Sequence, residues 1–244
     1  MITNLNLFGG ISMKIRKLSL YILIITLILV TFTGCSKIND EEKNIQDKTN
    51  EEIDFLEDKI LTVVNRYAEK QYNLQEGGIN WEEIEKDIES INISLDTIIL
   101  DLSEVQISNN DLVNFSNELA NLNIAVSSKD EYQFMQRCSY LYSLLPTYLE
   151  KYSEDKNKIN IMKLKSLMVS SFVQSNFFDW ENAKATIVLA ENKYKEMMDD
   201  VDYMEEYSYN LNKVYVLLQE MKNAINLEEA DLSRIKYINF ISKI

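Results

Sequence analysis

From Thr49 onward the chain repeats one pattern. Apolar residues fall at steps of three and four with polar residues between them, and this predicts one helix after another. Thr49 with Glu52 reads as a capping box, Ile53, Leu56, Ile60, Val63 and Tyr67 share one face, and Gly77-Gly78 closes the first helix. The second is the most regular. Asn80 caps it, Glu83 returns the capping box, Ile79 staples to Ile84, and Trp81, Ile84, Ile88, Ile91, Leu95, Ile98, Leu102 and Val105 keep a heptad. A helix of about 26 residues is roughly 39 Å long, so an elongated domain is expected.

A third helix follows Ser108-Asn109-Asn110 and carries Leu112, Phe115, Leu119, Leu122 and Val126. Ser128 with Glu131 caps a fourth, with Phe134, Cys138, Leu141 and Leu145 inward. Pro146 lies inside this pattern, which Tyr148 and Tyr152 continue. Two readings stand: a kink that frees the carbonyl of Tyr142 and opens a groove edged by Tyr148 and Tyr152, or a new helix beginning at Pro146. The fifth helix is expected over 154–174 with Ile161, Leu164, Met168 and Phe172 inward. The sixth runs from Asp179-Trp180 as one stripe, Trp180, Ala183, Ile187, Ala190, Tyr194, Met197, Val201 and Met204. Leu211, Val214, Leu218, Met221 and Ile225 mark a seventh, and a last helix from about Glu229 inserts Tyr237, Phe240 and Ile244.

Beyond the first 34 residues only Gly77, Gly78 and Pro146 remain as breakers, too few for the turns of a β-sandwich or an α/β fold. The fold expected is therefore all-α, an elongated antiparallel bundle of about seven to eight helices. The apolar positions of the second and third helices recur 99 residues later, Trp81 as Trp180, Leu112 as Leu211, Val126 as Ile225, with Ala125 matching Ala224. This reads as an internal duplication of 80–145 in 179–244, against the alternative that any two heptad helices slide into register. The start Asp179-Trp180-Glu181-Asn182-Ala183 also resembles the second helix of a tetratricopeptide repeat, over half a repeat only and on a helix too long for that family.

Before these helices, Lys14, Arg16 and Lys17 precede an uncharged, mostly apolar run from Leu18 to Thr33 that ends in Gly34-Cys35. A basic segment, an apolar run and small residues are the layout of a secretory signal peptide. Thr33-Gly34-Cys35 resembles the lipobox of bacterial lipoproteins, although Phe32 stands where that family usually has an aliphatic residue. The resemblance implies that Cys35 is lipidated, with palmitate among the acyl chains, and becomes the new N-terminus. The alternative is an uncleaved membrane span, since about 18 to 20 apolar residues suffice. In both readings the later residues lie outside the membrane. Translation is expected to start at Met13, with 1–12 a misread upstream extension, 13–34 the signal peptide, 35–50 a polar tether and 51–244 the helical domain. In layout the chain resembles helical lipoproteins of low-GC Gram-positive bacteria, which implies no activity.

Composition narrows the chemistry. Losing Lys14, Arg16 and Lys17 leaves 22 of the 25 cations against 39 acids, a net charge of −17. That argues against nucleic acid and anionic lipid headgroups as partners. There is no histidine, so His-dependent triads, His-ligated zinc and imidazole switches are excluded. Cys138, the one cysteine besides Cys35, reads as a buried, inert thiol. The acids Asp199, Asp200, Asp202, Glu205 and Glu206 lack the ligand alternation and turn glycine of an EF-hand and read as a solvated helix face. Met197, Met198 and Met204 read as packing, as do Trp81 and Trp180. Tyrosines gathered at 132–152 and 194–215 hint at a partner surface, with Tyr148 and Tyr152 its nominated residues. No catalytic constellation, metal site or cofactor motif stands out. The sequence thus points to a membrane-anchored, non-enzymatic interaction or scaffold protein whose partner is another protein, with an extracytoplasmic ligand- or cation-binding lipoprotein as the alternative.

Overall fold

A computed structural model describes residues 43–70, 79–199 and 201–244, and for 201–211 the backbone alone. The basic segment, the apolar run, Cys35 and Gly77-Gly78 lie outside the described residues. Among those described the fold is all-α, with eight helices: α1 over 43–70, α2 Trp81–Glu104, α3 Asn109–Ser128, α4 Glu131–Tyr152, α5 Lys156–Asn176, α6 Trp180–Met198, α7 Val201–Asn226 and α8 Ala230–Ile241. No helix among them is long and apolar enough to cross a membrane.

Local chemistry starts most helices where a short polar side chain accepts an amide from the first turn. Asn80 accepts from Glu83 N, Ser108 from Asp111 N, Asp155 from Lys158 N and Asp179 from Asn182 N. Two caps differ from expectation. Thr49 caps nothing, because α1 already runs through 43–50, where a polar tether is expected; its side chain is buried and its hydroxyl donates to the carbonyl of Asp101. Ser128 belongs to the end of α3, where it bonds back to Ile124 O, and Asp130 caps α4 through Gln133 N.

Helix ends explain why the boundaries are hard to read. In a chain with five glycines, the left-handed position that usually follows a helix falls on other residues: Gln106, Lys129, Phe178 and Glu228 have φ of 66°, 54°, 63° and 58°. Lys129 and Glu228 are 99 residues apart and close the same motif. The amides of Asp130 and Glu229 donate to Ala125 O and Ala224 O, at 2.9 and 3.1 Å. Lys129→Gly is expected to stabilise the fold by about 1 kcal/mol, since its side chain is exposed and the backbone strain is relieved, and Glu228→Gly by less, since it also gives up the exposed ion pair with Lys184 at 2.6 Å. Urea midpoints check this, and a loss of stability would show that the left-handed residues are unstrained.

The packing has two four-membered groups. α5 packs on α6, α6 on α7, α7 on α8 and α8 back on α5. In the other, α2 packs on α3 and α3 on α4. There α1 reaches α2 through Arg66 to Glu83 and Asp87, and α4 through Tyr67 to Glu131 and Tyr142 to Glu57. The groups meet along α4 and α5, and α1 bridges to α5 and α8 by Lys165 to Glu57 and Tyr237 to Asn65.

That position makes α5 buried on several sides. Ile159, Met162, Leu164, Met168, Val169, Phe172 and Val173 are all in the core, with Ser171 and Ser175 at 0 % exposure, while the expected inward Ile161 is only half-buried. Small serines let neighbouring backbones approach there. The sixth helix is shorter than its stripe suggests. α6 stops at Met198, and Val201 and Met204 belong to α7. The connection of 105–108 between α2 and α3 is thus matched by only 199–200 between α6 and α7.

Candidate interaction surface and the polar interior

α3 carries two heptad stripes. Leu112, Phe115, Leu119, Leu122 and Val126 are buried, as the spacing predicts. On the opposite side Val113, Asn117, Ala120, Ile124 and Ser127 step by four and three and are all exposed, Val113 at 59 % and Ile124 at 66 %. No exposed position of α3 carries a charge. Its two acids, Asp111 and Glu118, are half-buried and paired with Lys151 at 2.6 Å and Arg137 at 2.7 Å. The neighbouring α2 contrasts with this. Its solvent side bears Glu82, Glu85, Glu89, Asp96 and Glu104, interrupted by Ile93 at 78 % and Leu100 at 57 % exposure. Paired amides, Asn92 to Asn123 at 2.9 Å and the reverse at 3.0 Å, fix the level of one helix on the other.

The nominated tyrosines behave otherwise. Tyr148 is 2 % exposed, meets Phe115 edge-on at 6.4 Å and donates to Asp111 O at 3.1 Å, so it ties α4 to α3 and edges no groove. Tyr152 is half-buried and donates to Asn50 Oδ1 at 3.2 Å. Pro146 is buried inside a helix that continues to Tyr152, which replaces the reading that a new helix begins there. The tyrosines that do reach solvent on α4 are Tyr132 and Tyr140, and the Tyr140 hydroxyl accepts from Asn114 Nδ2 at the border of α3. Tyr194 is buried and stacks on Tyr215 at 5.1 Å. Trp81 packs edge-on against Phe134 at 5.5 Å and Trp180 against Phe178 at 6.2 Å, both half-buried. Cys138 is fully buried, and burial pushes its thiol well above the ordinary range, which suppresses the thiolate.

A polar relay crosses the interior where α1, α4, α5 and α8 meet. Tyr67 donates to Glu131 at 3.0 Å and accepts from Asn176 Nδ2 at 3.2 Å; Asn176 Oδ1 accepts from Arg234 Nη2 at 3.0 Å and Nε at 3.3 Å. Burial, then the Glu131 carboxylate, raises the Tyr67 phenol, so it stays a protonated donor. These partners are 58 to 109 residues apart, a separation no periodicity reveals. An open cleft of about 460 Å³ lies along α1 and α5, lined by Glu57, Asp155, Asn157, Lys158, Met162 and Lys165 among others. Its charged groups pair with one another or nearby, Lys165 with Glu57 at 3.2 Å and Lys158 with Asp54 at 2.6 Å. Among the described residues no three Cys, Asp or Glu side chains gather as a metal site. Of the acid cluster, Asp199 caps the exposed end of α6, while Asp200 and the side chains of Asp202, Glu205 and Glu206 lie outside the described residues.

Comparison with protein-family models, curated proteins and solved structures gives no match.

Proposed function

We propose that this protein is a non-enzymatic interaction or scaffold protein, held by lipid on Cys35 at the outer face of a bacterial membrane. The location is supported by Lys14, Arg16 and Lys17 before the apolar run and by Thr33-Gly34-Cys35 after it. The mode of action is carried by the outer stripe of α3, a heptad seam that lacks charge in a chain of net charge −14. Interfaces are depleted of charge at their centres, whereas a face that only meets water gains from it. Metabolic palmitate labelling of wild type and Cys35→Ser tests the anchor, and an unlabelled wild-type chain removes it. Crosslinking on intact cells through residues placed on α3, followed by mass spectrometry, tests the interaction. Capture of a defined protein at α3 supports it, and no product at α3 overturns it.

A second reading, an extracytoplasmic ligand- or cation-binding protein, draws on the cleft along α1 and α5, whose volume lies in the range of small-ligand sites. Calcium or a glycan that raises the melting temperature would favour it.

A further inference from the structure

We infer that the outer seam between α2 and α3 receives a helix of another protein, one that is amphipathic and carries lysine or arginine along one flank. This rests on the interaction reading above and gives the chemistry of the partner.

The first argument is the make-up of the two edges of the seam. Asn92 and Asn123, paired across it, mark the sides of α2 and α3 that face one another. On α2, Glu85 and Glu89 lie seven and three residues before Asn92 and Asp96 lies four after it, spacings that keep all three on that side, and all three are exposed. On α3, Ala120 and Ser127 lie three before and four after Asn123, and the exposed Val113 and Ile124 stand just outside them. One edge is thus acidic, and the other is small and then apolar. A wholly apolar helix would bury the acids, and a helix charged all round would leave Val113 and Ile124 unmatched. A helix with a cationic flank beside an apolar face satisfies both edges, and Ala120 and Ser127 are small enough for its backbone to approach.

The second argument is the pairing of the acids. Elsewhere on these two helices Glu82 has Lys86, Glu83 has Arg66, Asp111 has Lys151 and Glu118 has Arg137. Glu85, Glu89 and Asp96 make no ion pair among the described residues. Glu85 and Glu89 stand one turn apart and repel one another. Cations laid along the row would remove that repulsion, and a like-charged chain cannot supply them.

The third argument is level. The chain reverses over 105–108, so α2 and α3 run antiparallel and the Asn92–Asn123 pair sets their register. Glu89 then flanks Ile124, and Asp96 flanks Ala120. Glu89 and Asp96 call for cations about seven residues apart, roughly 10 Å, and Val113 and Ile124 for an apolar face of about eleven residues, roughly 16 Å. One helix of ordinary length spans both.

The test is fluorescence anisotropy of a synthetic amphipathic helical peptide of about 20 residues, with leucines on one face and lysines at heptad spacing beside them, titrated with the full-length chain in neutral detergent. The peptide should bind, more weakly as salt rises, and at least about tenfold more tightly than one of equal composition with its lysines moved to the back of the helix. Glu89→Lys combined with Asp96→Lys should reject this peptide and accept one with glutamate in place of lysine. Glu154→Lys combined with Glu181→Lys changes the net charge equally at exposed sites elsewhere and should leave binding within about twofold. Ile124→Ala should weaken binding several-fold, and circular dichroism of each variant should match wild type, as these sites are exposed. No binding by the lysine-flanked peptide, equal binding of the two lysine peptides, or an equal loss from the two charge reversals would overturn the inference. On cells, a protein crosslinked to α3 through a segment without a basic amphipathic helix would sink it and leave the interaction reading standing. No crosslink at α3 would remove both.

Discussion

Asn176→Leu is expected to cost about 3 kcal/mol of stability, because it strands a buried guanidinium. Arg234 is 7 % exposed, and two of its nitrogens donate to Asn176 Oδ1. Its remaining contact, Nη1 to Asp231 at 3.0 Å, is to a side chain 86 % exposed and is worth little. Leucine fills a similar volume but accepts nothing, so Arg234 keeps its desolvation cost without the compensating bonds. Tyr67 loses a donor at the same step, which leaves its hydroxyl bonded to Glu131. Urea denaturation with an unchanged m-value would measure the loss. Asn176→Leu combined with Arg234→Met should recover part of it, since removing both members of a buried polar pair costs less than removing one. A single-variant loss below about 1 kcal/mol would show that water replaces Asn176 and that the relay contributes little.

Phe172→Ala is expected to be at least as severe, about 3 to 5 kcal/mol. Phe172 is fully buried on α5, the helix that touches α4, α6 and α8, and its ring stacks on Tyr237 at 4.3 Å and 12°. Truncation opens a cavity where two four-helix groups meet, and the surrounding helices are pinned on too many sides to collapse into it. Tyr237 is held from its other end by Asn65, so it cannot tilt to fill the space without breaking a hydrogen bond at 3.1 Å. Ile124→Ala provides the contrast. It removes a similar apolar side chain from the exposed stripe of α3 and should change monomer stability by no more than about 0.5 kcal/mol. Thermal or urea unfolding of the two variants side by side decides the matter. Comparable losses would mean that α5 is not the centre of the packing.

The α3 stripe bears on how much of a site can be read in advance. Every residue of it is visible in the sequence, as is the lack of charge at each step. What hides it is the stronger heptad on the other side of the same helix, which accounts for the fold and draws attention from the second stripe. The tyrosines misled for the opposite reason. Their spacing is conspicuous, but Tyr148 and Tyr194 spend their rings on packing, and an amphipathic side chain suits a half-buried helix seam as well as a rim.

The sequence by itself determined the class of fold and the course of α2 and α3. Each of those helices buries a single face against its neighbours, and a single buried face imposes a period of three and four on the chain. The starts of α2 and α6 were equally determined, because Asn80 and Asp179 act within one turn of themselves. Tertiary structure decided the rest. α5 is covered on several sides, so no single apolar stripe describes it, and serines there answer to the closeness of neighbouring backbones. α6 and α7 share one apolar phase across 199–200, so the break between them leaves the stripe intact. Helix ends fall on Gln106, Lys129, Phe178 and Glu228, residues with no local preference for a left-handed turn, because packing over-rides a strain of about 1 to 2 kcal/mol. The relay from Glu131 to Arg234 exists only where four helices converge, since a hydrogen bond acts over about 3 Å and the chain brings its partners together only by folding.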